Sequence, residues 1–168
     1  MNNNEYIIAE AKISDLSQVR EIYRYYVEKT TATLEEKTPS EQEVLELYES
    51  ILSKNLPFFV AKKGNNILGF CYAAPYRKRS AYRYTVEQSV YVHKDFLRRG
   101  IATSLTNELL TKCKETGYKQ VIAIIVSSGN DSSVKFHKSL GFRENGKLTL
   151  VGHKFNKWLD TIIMQKSL

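Results

Sequence analysis

The sequence predicts an α/β fold, a mixed sheet of about seven strands with about four helices spread over both faces. Three observations predict it. Strand-like and helix-like segments follow one another in the order β-α-α-β-β-β-α-β-α-β-β. The run Gln120 to Val126, QVIAIIV, is apolar on both faces, as a strand covered on each side has to be. A β-type run, Ser89 to Val92, passes through a short polar turn carrying Arg98, Arg99 and Gly100 into a long amphipathic helix.

The elements follow in order. Residues 5 to 13 (EYIIAEAKI) form a first strand, and Ser14 is the expected N-cap of a helix reaching about Lys29. Leu16, Val19, Ile22, Tyr23, Tyr26 and Val27 recur at three- and four-residue intervals and make one apolar stripe. Thr30 to Pro39 is a polar loop. Ser40 and Glu43 make a capping box for a helix over about 41 to 53, with Val44, Leu47, Tyr48, Ile51 and Leu52 on its inner face. Strands Phe58 to Lys62 and Ile67 to Ala74 flank a hairpin turn at Gly64-Asn65-Asn66.

Pro75 to Ala81 is a basic loop, and Tyr82 to Val92 alternates as a long strand. Beyond the turn, Ile101, Leu105, Leu109 and Cys113 fall four residues apart, and Gly117 closes that helix. Ser127 to Asn130 is a polar loop. Asp131 caps a short helix, Ser132 to Leu140, ended by Gly141. Phe142 to Lys154 and Asp160 to Lys166 are two further strands, with a bend over Val151 to Asp160 that holds the only tryptophan, Trp158.

The 168 residues are expected to form one domain, residues 1 to 168, with 42% apolar and 26% charged side chains. The longest apolar run, Val121 to Val126, is too short to span a membrane. The first residues lack the basic and apolar regions of a signal peptide, so the expected location is the cytoplasm, without membrane partners. Cys71 and Cys113 make no metal or redox spacing; both are expected to be reduced packing residues, and no metal is expected. The net charge of +7 favours anionic partners without choosing among a nucleotide-bearing cofactor, an anionic small substrate and nucleic acid.

The stretch Val90 to Ala102 has the features of an anion cradle. A glycine and small residues at a helix N-terminus let the backbone approach a ligand. The free N–H groups and the helix dipole then hold negative charge, and two arginines suit phosphate oxygens. Upstream, Glu87 shares one strand face with Thr85, Ser89 and Tyr91, while Val86, Gln88, Val90 and Val92 take the other. A carboxylate among apolar strand residues titrates high once desolvated, which suits a base.

Leu97-Arg98-Arg99-Gly100-Ile101-Ala102 resembles the acetyl-CoA pyrophosphate motif Q/R-x-x-G-x-G/A of the GNAT acyltransferases. Three further stretches, Tyr82 to Val92, Asn130 to Phe142 and Val151 to Asp160, are similar to the phosphinothricin and methionine sulfoximine N-acetyltransferase branch. The likeness covers almost the whole chain. It departs at Leu97, which stands where the motif usually has Gln or Arg, and at Tyr76, often Trp in this branch.

The resemblance implies a GNAT-like acyl-CoA N-acyltransferase fold and an acetyl-CoA-dependent N-acetyltransferase, acting on the α-amine of a small amino-acid-like substrate such as phosphinothricin or methionine sulfoximine. It implies Glu87 as the base, and His137 near the active site as a proton relay or substrate contact, the other reading of His137 being a packing histidine. It implies acetyl-CoA on Val90, Tyr91, Val92, on Leu97 to Thr103 (Leu97, Arg98, Arg99, Gly100, Ile101, Ala102, Thr103), and on Asn130 and Ser139. Tyr76, Arg77, Lys78, Val86, Glu87 and Gln88 match substrate-contacting stretches. The basic loop Arg77-Lys78-Arg79 has two rival readings, a solvated loop or a clasp on the cofactor's 3′-phosphate. Lys154 and Trp158 are open between a pocket, a dimer interface and a buried bend. The family precedent implies a homodimer and no nucleic-acid partner. Rival readings keep the fold with a polyamine, antibiotic or protein amine as acceptor, or make the chain a non-enzymatic acyl-CoA sensor or a basic nucleic-acid-binding domain.

Overall fold

One seven-stranded sheet runs through the chain among the described residues, in the spatial order β1-β2-β3-β4-β5-β7-β6. The computed structural model describes residues 6–127 and 132–168. The strands are β1 (Ile7–Glu10), β2 (Phe58–Lys63), β3 (Asn66–Pro75), β4 (Thr85–Val92), β5 (Gln120–Ser127), β6 (Arg143–Lys154) and β7 (Lys157–Ser167). The helices are α1 (Leu16–Lys29), α2 (Glu41–Leu52), α3 (Ile101–Glu115) and α4 (Ser132–Ser139). The order of elements is the one the apolar periodicity predicts. No helix among the described residues is long and apolar enough to cross a membrane.

Every neighbouring pair of strands is antiparallel except β4 and β5. That parallel pair is also the shortest contact in the middle of the sheet. Only Thr85, Val86 and Glu87 are in register with Gln120, Val121 and Ile122, whereas β5 stays paired with β7 from Gln120 to Ser127. The sheet therefore opens beyond Glu87, and the rest of β4 has a neighbour on its β3 side alone.

Strand alternation decides which helix covers which face. Cys71 of β3 donates from Sγ to the Leu105 carbonyl at 3.3 Å, so the Gly69/Cys71 face lies under α3. A Cβ on Gly69 would meet the Tyr91 carbonyl oxygen at 2.9 Å and the Ile101 and Leu105 side chains at 3.3 Å. Glycine there is what lets α3 pack so closely. Phe70 and Tyr72 point the other way, with Tyr91 of β4, toward α1 and α2. Tyr23 and Tyr26 of α1 meet the Tyr91 ring edge-on or tilted at 5.0 and 5.1 Å, and Tyr48 of α2 meets Phe58 at 5.6 Å. Both cysteines are buried and unpaired with each other, and burial pushes the Cys113 thiol up to about 12.

Several boundaries differ from the sequence-based expectation, each for a local reason. The start of α1 is set by a turn at Ile13–Asp15 rather than by Ser14. The Asp15 carboxylate accepts from the Lys12 N–H at 2.9 Å and pairs with the partly exposed Lys62 at 2.7 Å, so an ion pair on a buried aspartate anchors the turn. Residues 82 to 84 are not strand: Ser80–Tyr82 form a 3-10 turn, and β4 begins at Thr85. Ile124 is 38% exposed, so β5 is not covered on both faces throughout. The bend over Val151 to Asp160 is a two-residue turn, Phe155-Asn156, with φ of 51° and 57°, which matches the twist of a tight hairpin. Trp158 lies within β7 and is 65% exposed rather than buried. The capping box at Ser40 forms as predicted, with reciprocal bonds to Glu43 of 3.2 and 2.7 Å.

Candidate active site

The free flank of β4 is defined by its hydrogen-bond parity. In an antiparallel pair, alternate residues exchange their N–H and C=O bonds with the neighbour, and those between face away. Tyr76 N–H donates to the Thr85 carbonyl at 3.3 Å, and His93 N–H donates to the Leu68 carbonyl at 2.8 Å. With the β3–β4 register, this gives the backbones of Glu87, Ser89 and Tyr91 to β3. Those of Val86, Gln88, Val90 and Val92 then point toward β5; the Glu87–Ile122 pair engages Val86 and Gln88, which leaves Val90 and Val92 at the opening. Tyr84, on the same parity, accepts there from Lys119 and Gln120. The Val92 carbonyl is taken by the Tyr26 hydroxyl at 2.5 Å. Of the expected trio Val90, Tyr91 and Val92, Tyr91 thus has its backbone turned to β3 and its ring in the tyrosine cluster.

Beyond the opening the chain turns through Lys94–Phe96, where His93 Nδ1 caps the Asp95 N–H at 3.3 Å. His93 is the turn residue the sequence suggests. Arg98 and Gly100 both take positive φ, 60° and 79°. Gly100 is the N-cap of α3, and a Cβ there would meet nothing nearer than 4.0 Å, so backbone conformation rather than space calls for glycine. The bond from Ser104 N–H to the Gly100 carbonyl, 3.0 Å, opens the helix ladder. The N–H groups of Ile101, Ala102 and Thr103 precede it and have no helical carbonyl to reach. Ile101 is otherwise core, 2% exposed. Leu97 is 49% exposed, and the Arg99 guanidinium lies over the Phe96 ring at 5.1 Å.

Glu87 is half-buried on the α1/α2 face. Burial raises its carboxyl above the ordinary carboxylate value, and the nearby Arg77 pulls in the other direction. The loop carrying Arg77 is tied to β4 by the Tyr76–Thr85 bond. Tyr76 supports it, with the Arg77 guanidinium 5.1 Å above its ring and Tyr82 edge-on at 5.6 Å. Arg77 and Lys78 are exposed. Tyr72, opposite Ser89 on β3, feels the Glu87 and Glu35 charges, and burial raises its phenol as it does those of Tyr23 and Tyr91. Sequence reasoning missed this tyrosine wall. Its signal was available in Tyr72, which hairpin register sets beside Glu87.

The structure does not bring every expected residue to that face. Val86 is wholly buried in the core, so its side chain is not open to an acceptor. Gln88 points to the α3/α4 face and is 5% exposed; its Nε2 lies 2.7 Å from Nε2 of His137. His137 is 4% exposed, between Phe136 and Phe142 with ring separations of 4.9 and 5.1 Å. Its Nδ1 lies 2.7 Å from the Ser133 carbonyl, and burial holds its pKa below the usual imidazole value. Glu87 and His137 therefore lie on opposite sides of β4. Ser139 is exposed and donates to the Phe136 carbonyl at 2.7 Å. Asn130 lies outside the described residues. Lys154, 1% exposed, donates from Nζ to the Thr33 carbonyl at 2.9 Å and so holds the loop between α1 and α2.

A half-buried carboxylate, an amide-bearing strand flank and a helix N-terminus with free donors lie in sequence along one path. That arrangement can bind an extended, amide-containing chain ending in an anion, with a base at its other end.

Comparison with known proteins agrees with this. The family model described as Acetyltransferase (GNAT) family matches residues 13–142. The chain is 38% identical over 154 residues to a phosphinothricin N-acetyltransferase from Alcaligenes faecalis, covering 92% of this chain and 78% of that one. It is 32% identical to an L-methionine sulfoximine/L-methionine sulfone acetyltransferase from Salmonella typhimurium, over 92% of this chain and 90% of that one. Among solved structures, a GNAT superfamily phosphinothricin acetyltransferase from Sinorhizobium meliloti in complex with AcCoA superposes with a TM-score of 0.93 at 36% identity, covering 98% of this chain and 89% of that chain.

Proposed function

This chain belongs to the acetyltransferase (GNAT) family, and from that premise we propose that it transfers the acetyl group of acetyl-CoA to the α-amine of a small amino-acid-like acceptor of the phosphinothricin or methionine sulfoximine type. The observation that carries the reading is the adjacency of Glu87 to the point where β4 parts from β5. A pantetheine arm paired with Val90 and Val92 and a pyrophosphate on the N–H groups of Ile101 to Thr103 would bring the thioester toward Glu87. Support for an acidic acceptor comes from the exposed Arg77 near that carboxylate, followed in the chain by the exposed Lys78; a guanidinium suits a carboxylate or phosphinate oxygen pair.

In the proposed mechanism the acceptor amine attacks the thioester carbonyl directly. A C–N bond forms, the C–S bond breaks, the amine proton passes to the Glu87 carboxylate directly or through water, and the leaving CoA thiolate takes a proton from solvent. The Val90 N–H, facing the opening, is placed to polarise the carbonyl. Both cysteine thiols are buried and titrate high, which argues against a covalent intermediate on sulfur. His137 belongs in this scheme as a buried positioning group, since both its ring nitrogens are engaged.

A cytoplasmic homodimer is part of the same proposal. Exposed apolar residues on β6 and β7 and between them, Leu148, Leu150, Val151, Phe155 and Trp158, support a self-association surface. The test of the reaction is thiol release from acetyl-CoA across a panel containing phosphinothricin, methionine sulfoximine, methionine sulfone, spermidine and a peptide. Release with the first three and not with spermidine is expected; release with spermidine or the peptide alone would overturn the acceptor assignment.

A further inference from the structure

We infer that Gln88 and His137 form one positioning unit for the acyl donor: His137 orients the Gln88 carboxamide, whose Oε1 accepts a hydrogen bond from an amide N–H of the pantetheine arm. The inference rests on the acetyl-CoA-dependent reading above and assigns a contact that reading does not contain.

The tautomer of His137 follows from its partners. Nδ1 faces the Ser133 carbonyl at 2.7 Å, an acceptor only, so Nδ1 carries the proton. The ring is buried and its protonated form is disfavoured, so Nε2 keeps its lone pair and must accept. The Gln88 Nε2 at 2.7 Å is then the donor, which fixes the carboxamide and leaves its oxygen on the other side. Turning the amide over would set its oxygen against the Nε2 lone pair. Oε1 is buried and has no hydrogen-bond partner among the described residues.

An acceptor in that condition is expensive to keep, and native chains rarely leave one without a use. Its location suggests the use. Gln88 is the first residue of β4 past the last pair with β5, Glu87 with Ile122. His137 sits on α4, which packs on β6 and β7, the strands beyond the opening. The Gln88–His137 bond therefore joins the two halves of the divided sheet at the base of the gap. The donor group that enters there on the proposed path is the amide of the arm nearest the sulfur, because the thioester beyond it must reach Glu87. Secondary amides donate through one N–H, which suits a single waiting oxygen.

The test uses the full chain and calorimetric titration with acetyl-CoA and with an analogue in which the amide nearest the sulfur is replaced by an ester, which cannot donate. The unmodified chain should prefer the amide. In Gln88→Met that preference should fall about tenfold, the scale of one hydrogen bond, and Gln88→Glu, which has no donor for the His137 Nε2 lone pair, should lose it as well. An unchanged preference in Gln88→Met overturns the inference. Should that variant not fold, the Gln88 side-chain carbonyl carbon in the unmodified protein gives the answer. Its resonance should move downfield on adding acetyl-CoA, and a resonance that stays put overturns the contact. Long-range proton–nitrogen spectra should also show His137 protonated at Nδ1; a proton at Nε2 removes the orienting role. Failure of acetyl-CoA to bind at all would instead remove the underlying acetyl-CoA reading, so the two failures are distinguishable.

Discussion

Glu87 and Ile122 form the last register pair between β4 and β5, and the two strands diverge immediately beyond them. The candidate base is thus held in the last stretch of β4 that has strands on both sides, three residues before Val90, whose backbone faces the opening. A group that must meet a bound thioester benefits from that arrangement, because its own position does not depend on the ligand.

Replacing Glu87 by Gln should lower turnover about 100- to 10,000-fold, the usual scale for a general base, while acetyl-CoA binding by calorimetry stays near the unmodified value. Unaltered turnover would rule Glu87 out as the base. The carboxyl titrates above the ordinary range, so activity should fall as pH drops through that raised value. Stability has the opposite sign. A carboxyl whose folded pKa is raised favours the fold when protonated, and that contribution is lost as pH rises from the ordinary carboxylate value through the raised one. Glu87→Gln should therefore melt at a slightly higher temperature at neutral pH, which a thermal scan checks.

At Gly100, with φ of 79°, alanine should cost about 1–2 kcal/mol of stability from backbone conformation alone. It should also weaken acetyl-CoA binding. Leu97→Gln is the counter-experiment. Leu97 is half-exposed, so stability should hardly change, and a new side-chain donor beside the cradle should tighten binding of acetyl-CoA. Weaker binding would mean that the turn presents position 97 away from the phosphates.

The Tyr26 hydroxyl occupies the Val92 carbonyl, which lies at the far end of the open flank. Tyr26→Phe should cost roughly 1 kcal/mol in denaturant unfolding. A loss near zero would mean that water replaces the hydroxyl without penalty.

Lys154→Met should remove the donor that holds the Thr33 carbonyl and loosen the loop between α1 and α2. Burial lowers the Lys154 pKa, so the charged form costs stability, and that cost is relieved as pH rises through the lowered folded value toward the ordinary one. The stability gap between the unmodified chain and Lys154→Met should widen in favour of lysine over that alkaline window. Hydrogen exchange of residues 30–39 gives the local readout, with faster exchange expected in the variant.

Much of the fold could be read from periodicity, because the apolar stripes of α1, α2 and α3 and the alternation of β4 are local signals. The Ser40–Glu43 box and the glycine before α3 are local too, and both occur where predicted. The division of labour within the site was harder. Strand parity puts Glu87 and Gln88 on opposite faces, but only tertiary packing says that α1 covers one face and α4 the other. That is why the sequence does not say on which side of β4 His137 lies; it is across the strand from Glu87, bonded to Gln88. The extent of the opening depends on how far β5 follows β4, a long-range register with no counterpart in local sequence. Trp158 was misplaced for a smaller reason: two left-handed residues, Phe155 and Asn156, make a tight turn without glycine.

The alternation along β4 has a consequence for what kinds of change the chain can absorb. Side chains at 87, 89 and 91 face one helix layer, and the backbones at 90 and 92 face the opening. A substitution alters one partner in this scheme. A deletion or insertion of a single residue inside the strand ahead of Glu87, at Thr85 or Val86, exchanges all of them at once, turning the carboxylate toward α4 and the wrong amides toward the gap. Drift in this segment should therefore appear as changes of residue at constant length.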